Sequence, residues 1–420
     1  MHVWIPSAVI CFVMGCSLSS ADYTSSVKPV LPAAVSAMNS TVYSIVFDAG
    51  STGTRIHIYI FHRKTTGSSL ELDHEIFESV KPGLSAYVAD PEKGADTVRS
   101  LLLLALDAVP PTQWKETPLI LRATAGLRLL PEGKADSLLS EVTKVFLSSP
   151  FLLPENSVSI LAGSDEGILA WISVNFLTGH LHGDHSVGML DLGGGSTQIT
   201  FLPLSKDTLE ESPKGFLSSF ELFNNSYRLY THSYLGLGLK SARVAILESS
   251  KSTVQQDEIY RSPCFPPSLI GVWSVDGVTY KYGGQTDGRS GFTLCYSEAL
   301  RVLKGKLHHV EEIVHRPFYV FSYFYDRAVD SGLIDYEAGG VLEVRDFLQK
   351  AKEVCDHMTS ESPHSHFLCM DLTYISALLR DGLGFEEGTT LQLRKKVRGV
   401  ETSWTLGAAF QVLQTFVPTF

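Results

Sequence analysis

Two short turns in this chain combine glycine, hydroxyl and carboxylate residues in the way a phosphate site requires. Asp48-Ala49-Gly50-Ser51-Thr52-Gly53-Thr54-Arg55 follows one apolar run, and Asp191-Leu192-Gly193-Gly194-Gly195-Ser196-Thr197-Gln198 follows another. Successive backbone N–H groups in a tight turn form an anion-binding concavity. Glycine lets the backbone approach a phosphate and adopt positive φ. Ser51, Thr52, Thr54, Ser196 and Thr197 add hydroxyl donors, and Arg55 adds a fixed charge suited to phosphate. A single Gly-Ser-Thr turn is common and usually binds nothing. A matched pair, each opening with Asp at a strand end, indicates phosphate binding. Neither turn is a P-loop, because no Gly-Lys-Ser/Thr ending is present.

Asp48 and Asp191 would face a phosphate across a cleft, and two carboxylates repel such a ligand unless a cation lies between them. Mg²⁺ or Ca²⁺ takes oxygen ligands and keeps several waters when it also holds phosphate. Glu166 is the candidate base, since an ionised carboxylate can orient and deprotonate a water attacking phosphorus. Of Asp165 and Glu166 only one can face a cleft, because adjacent helix positions do not share a face. The turn at Leu121-Arg122-Ala123-Thr124-Ala125-Gly126 offers Thr124 and Gly126 as contacts to phosphate or to a metal's water. Within the aromatic run of residues 318–325, Tyr323 and Tyr325 are candidates for a nucleobase wall, although most of such a run belongs in a core. His180, His182 and His185 read as a solvated loop, since nothing adjacent completes a ligand set.

These residues need elements to hold them. An apolar strand leads into each turn and an alternating strand leaves it. Overlaid, Asp48 matches Asp191, Gly50 matches Gly193, Thr54 matches Thr197 and Ile56 matches Ile199, which suggests a duplicated domain. Helical periods fill the intervals at 97–109 and 135–147. Gly163-Ser164-Asp165-Glu166 opens a third helix with Ser164 as its N-cap and Leu169, Ile172 and Phe176 as its buried stripe. Strand and helix alternate, so the class is α/β. The expected organisation is a signal at 1–21, a flexible leading segment at 22–40, a first lobe at 41–180 and a second at 181–400.

The bulk numbers agree. A chain of 420 residues exceeds one ordinary core. Its 44% hydrophobic and 19% charged content is globular. A net charge of −11 argues against a nucleic-acid partner, which would demand basic surface. Residues 3–18 are mostly apolar and precede Ser19-Ser20-Ala21, the pattern of an export signal, though without a basic residue ahead of it. No later segment is long and apolar enough to span a bilayer. Beyond that signal four cysteines remain, Cys264, Cys295, Cys355 and Cys369. Sequence alone allows three pairings of them. Their order suggests Cys264–Cys295 and Cys355–Cys369. Asn39 and Asn224 head glycosylation sequons.

Residues 47–55 resemble the first characteristic region of the apyrase, or ecto-nucleoside triphosphate diphosphohydrolase, family. Residues 121–130, 163–175, 190–201 and 401–410 resemble its other regions, in the same order. The resemblance implies the fold of actin, the sugar kinases and the heat-shock chaperone ATPase, with the nucleotide between two related lobes. It also implies that the helix at about 400–420 returns to the first lobe. It assigns the water-activating role to Glu166, positioning of that water to Ser196 and Gln198, and the cation's waters to Asp48 and Asp191, with Thr124 nearby. Within the family the chain is similar to the endoplasmic-reticulum and secreted nucleoside diphosphatases. That likeness implies GDP or UDP as substrate, Mg²⁺ or Ca²⁺ as cofactor, a lumenal or secreted location, a monomer, and support of glycoprotein folding by removal of UDP. A phosphotransferase or a nucleotide-gated binder of the same superfamily are the rivals. Release of phosphate from UDP without an acceptor separates them.

Overall fold

The computed structural model describes residues 41–63, 70–181, 185–223, 225–249, 259–361 and 365–416. The export signal, the leading segment, Asn39, Asn224 and His182 lie outside these residues.

The first sheet is built from β1 (Thr41–Ala49), β2 (Thr54–Arg63), β3 (Leu70–Val80), β4 (Leu119–Ala123) and β5 (Val158–Ile160), in the order β3-β2-β1-β4-β5. The strands β6 (Gly188–Leu192), β7 (Ser196–Phe201), β8 (Leu217–Leu222) and β9 (Asn225–Leu235) begin the second sheet. A separate three-stranded sheet follows, β10 (Ile259–Arg261), β11 (Ile270–Val275) and β12 (Val278–Gly283). The second sheet is completed by β13 (Phe318–Ser322), β14 (Gly340–Glu343) and β15 (Thr390–Leu393), giving β14-β15-β13-β6-β7-β9-β8.

The duplication read from the sequence extends to hydrogen-bond register. In the first hairpin Asp48 pairs with Arg55 and Ala49 with Thr54. In the second, Asp191 pairs with Gln198 and Leu192 with Thr197. Each turn is closed by an N–H donated three residues along, Gly50 to the Gly53 carbonyl and Gly193 to the Ser196 carbonyl, both at 3.0 Å.

Strand alternation places the helices. Ile45 and Phe47 face one side of β1, where helices Pro91–Ala108 and Lys134–Leu147 contribute Val98, Leu101, Leu138, Val142 and Phe146. Val46, with Tyr59 and Phe61 of β2, faces the other side. There the helices Gly163–Thr178 and Thr405–Phe416 pack between the first sheet and residues Met189 and Phe321 of the second. The C-terminal helix thus contacts β1 and the Gly163–Thr178 helix. The outer side of the second sheet carries a further core that includes Phe318, Phe324, Phe347 and Tyr374.

Two sequence expectations change here. Gly163–Thr178 is not an amphipathic helix with one buried stripe. It is buried from Glu166 to Asn175 because it sits between two sheets, while Phe176 is only partly covered. Its N-cap is Ala162, with no side-chain cap, and Ser164 is already the second residue of the helix. Both disulfides form: Cys264–Cys295 ties the segment after β10 to the helix Phe292–Leu303, and Cys355–Cys369 ties the helix Val344–Asp356 to the buried helix Leu368–Ala377.

Candidate active site

The two hairpin turns meet. A Cβ on Gly194 would stand 2.3 Å from the Ser51 hydroxyl and 3.2 Å from Thr52 Cγ2, so glycine there lets one loop approach the other without displacing its side chains. No glycine of either turn takes positive φ, so close approach is the reason for these glycines and not the left-handed backbone. The loops border a cleft of about 540 Å³ that also contains Asp48, Thr124, Glu166 and Asp191. That volume lies within the range of small-molecule sites.

Gly50, Ser51, Thr52, Gly193 and Gly194 line the cleft. Gly53, Thr54 and Gly195 do not. Gly53 and Gly195 are held beneath by backbone bonds to Gly50 and Gly236, and Thr54 is fully buried at the start of β2. Arg55 lines the cleft, but its guanidinium is committed at 2.7 Å to Asp48 and reaches the Thr52 hydroxyl at 3.3 Å. Thr124 is buried at the head of the short helix Ala125–Arg128, whose Gly126 packs on Ser51.

Glu166 occupies the first turn of its helix and is 6% exposed, while Asp165 beside it points to solvent. Arg128 donates to Glu166 Oε2 at 2.7 Å and to the Ser196 hydroxyl at 3.2 Å. Gln198 Nε2 donates to Glu166 Oε2 at 3.2 Å, to Ser196 at 2.6 Å and to Ser233 at 2.9 Å. The Ser196 hydroxyl thus accepts from the two side chains that hold the Glu166 carboxylate. Burial pushes the Glu166 carboxyl up to about 8. Arg128 opposes the rise, and the negative fields of Asp191 and Asp48 add to it. Asp191 is pushed up to about 6, again chiefly by burial, with Ser322 drawing it back and Asp48 adding.

Asp48 Oδ1 and Asp191 Oδ1 are buried and have no hydrogen-bond partner among the described residues. Two such oxygens in one cleft fit a hard divalent cation. Among the described residues no three His, Cys, Asp or Glu side chains stand close enough together to hold a metal directly.

Tyr323 and Tyr325 also line the cleft, on the helix Tyr323–Asp330 that follows β13. Tyr325 is buried and its hydroxyl donates to the Tyr336 carbonyl. Arg243, Arg327, Arg394 and Lys395 join the same wall. Sequence reasoning missed these and, more consequentially, Arg128. Its one signal was a position four residues beyond Thr124. Arg243 grips the fully buried Asp371 at 2.7 and 2.5 Å, and Arg327 reaches the same carboxylate at 3.0 Å. That pairing spans distant segments and has no local pattern.

The pattern of the GDA1/CD39 (nucleoside phosphatase) family matches residues 34–418. The chain belongs to that family. It is 61% identical over 388 residues to chicken ectonucleoside triphosphate diphosphohydrolase 5, covering 92% of this chain and 91% of that protein. It is 58% identical over 378 residues to human nucleoside diphosphate phosphatase ENTPD5, covering 90% and 88%. Mouse ectonucleoside triphosphate diphosphohydrolase 6 is 50% identical over 387 residues, covering 91% and 84%. The crystal structure of a nucleoside triphosphate hydrolase from Neospora caninum aligns with a TM-score of 0.63 at 14% identity over 91% of this chain and 93% of that one, a likeness of fold. As a GDA1/CD39 member the chain is a nucleoside phosphatase of α/β architecture. Among its described residues no helix is long and apolar enough to cross a membrane.

Proposed function

We propose that this GDA1/CD39 protein hydrolyses nucleoside diphosphates, GDP and UDP ahead of others, to the monophosphate and phosphate. Relatives covering most of the chain, one of them named a nucleoside diphosphate phosphatase, support the diphosphate as substrate. In this reading the Gly50–Thr52 and Gly193–Gly194 turns bind the phosphates through backbone N–H groups. Through its waters Asp48 and Asp191 would hold Mg²⁺ or Ca²⁺, which would supply positive charge to the phosphate oxygens. Glu166 takes the proton of the attacking water. Arg128, Gln198 and Ser196 fix the position of its carboxylate, and Tyr323 and Tyr325 border the base. In the lumen of the secretory pathway, or outside the cell, such an enzyme would clear the UDP and GDP left by glycosyl transfer and so favour glycoprotein folding.

The observation that carries the reading is the buried Glu166 carboxylate, anchored by Arg128 and Gln198 in the same cleft as two partnerless aspartate oxygens. Glu166→Gln preserves size and removes the base. Its kcat for UDP should fall by about 10²–10⁴-fold while nucleotide affinity persists. Asp165→Asn, altering a residue that faces solvent, should turn over normally. Near-normal phosphate release by Glu166→Gln would remove Glu166 from this role, and failure to release phosphate from UDP without an acceptor would overturn hydrolysis itself.

A further inference from the structure

Where β13 ends, one residue breaks the backbone rule for L-amino acids. Ser322 has φ 57° and ψ −125°, a conformation that suits glycine and that other residues adopt only under strain. It stands at the N-cap of the helix Tyr323–Asp330, a position where Ser is favoured for capping, yet its side chain makes no cap bond. Neither local stability nor capping accounts for a serine here.

Its surroundings do. In the parallel ladder β13 lies beside β6, with Phe321 opposite Asp191 and Ser322 opposite Leu192. Ser322 is exposed in the cleft that Asp191 also lines, and its side chain draws the Asp191 carboxyl back down against the effect of burial. A serine in ordinary extended geometry would continue the alternation of β13 and direct its side chain elsewhere.

The geometry points to Ser322 as a positioning residue, held in a strained conformation so that its hydroxyl fixes the Asp191 carboxylate in the orientation that a cation's water requires. The inference rests on the reading of Asp191 as a cation holder. Strain of this kind persists where the surrounding structure imposes it and function uses it.

The test compares Ser322→Gly, Ser322→Ala and Asp191→Asn in the full chain. Thermal unfolding is measured in chelator and with Mg²⁺ alone, and the Mg²⁺ concentration for half-maximal UDP turnover is measured beside it. Ser322→Gly relieves the strain and removes the hydroxyl, so its Tm in chelator should exceed the parent's while its Mg²⁺-induced rise in Tm shrinks. Ser322→Ala keeps the strain and should show the same loss of Mg²⁺ response with no gain in Tm. Both should need about tenfold more Mg²⁺ for half-maximal turnover, the effect of losing one hydrogen bond to a charged group. A Ser322→Gly protein with the parent's Mg²⁺ response, or with a Tm in chelator below the parent's, overturns the inference. If Asp191→Asn keeps the parent's Mg²⁺ response, the reading of Asp191 fails, and Ser322 falls with it.

Discussion

Glu166 joins two opposed demands. In its proposed role as base it must be ionised, and burial, with the fields of Asp191 and Asp48 beside it, favours the protonated acid, raising its pKa from the ordinary 4.5 to about 8. Between those values the folded chain retains a proton that the unfolded chain has lost, so stability must fall as pH rises through this window. Asp191, raised to about 6, acts in the same direction over a narrower span. A divalent cation between the aspartates would reverse their field and favour the ionised form of all three. In chelator, Tm should therefore decline from pH 5 to pH 8, and Mg²⁺ should flatten that decline. Thermal scans at the two pH values, with and without Mg²⁺, check the sign. A flat profile in chelator would show that these carboxyls are not held protonated. Arg128 belongs to the same balance: its Nη2 donates to Glu166 and Ser196 while its Nη1 donates to the Leu161 carbonyl, a planar fork that a lysine cannot reproduce.

Among the elements, the helices Gly163–Thr178 and Thr405–Phe416 determine where Glu166 stands. They cross at Gly407, whose N–H donates to the Ser173 hydroxyl at 2.9 Å and whose missing Cβ would lie 2.3 Å from the Leu169 carbonyl oxygen. That oxygen belongs to backbone and cannot rotate away. Gly407→Ala should destabilise the protein by about 1–3 kcal/mol despite the better helix propensity of alanine. Gln411→Ala, on the exposed side of the same helix, should stay within about 0.5 kcal/mol of the parent. Urea midpoints of the two variants decide it, and equal stabilities would mean that the crossing adapts.

For the molecule as a whole, the sign of its charge shapes the chemistry. A chain of net charge −11 that acts on an anionic phosphate needs local positive charge. Several basic residues line the cleft, but Arg55 and Arg243 are already paired with carboxylates. A bound cation would add positive charge where the phosphate oxygens lie beside Asp48 and Asp191. Chelation should abolish turnover of UDP, and either Mg²⁺ or Ca²⁺ should restore it. Full activity in excess chelator would require a different account of the two aspartates.

The parts of this protein legible in one dimension are those encoded by short range. Each Asp-x-Gly hairpin is a contiguous segment with its own turn chemistry, so the paired loops, their matched register and the α/β alternation could be read directly. Glu166 could be singled out as well, and its resemblance to a family position gave it a role. Tertiary structure decided what depends on convergence. Arg128 acquires meaning only when the turn after β4 meets the Glu166 helix and β7. Ser322 does so only when β13 is laid beside β6. The apolar sequence of Gly163–Thr178 could suggest one buried stripe, but burial on nearly every side required a second sheet above it. Of the two reasons the sequence offered for the loop glycines, close approach and backbone freedom, none of them uses the second, since none takes positive φ. Periodicity records which face of one element is apolar, and it carries no information about which distant element will cover that face.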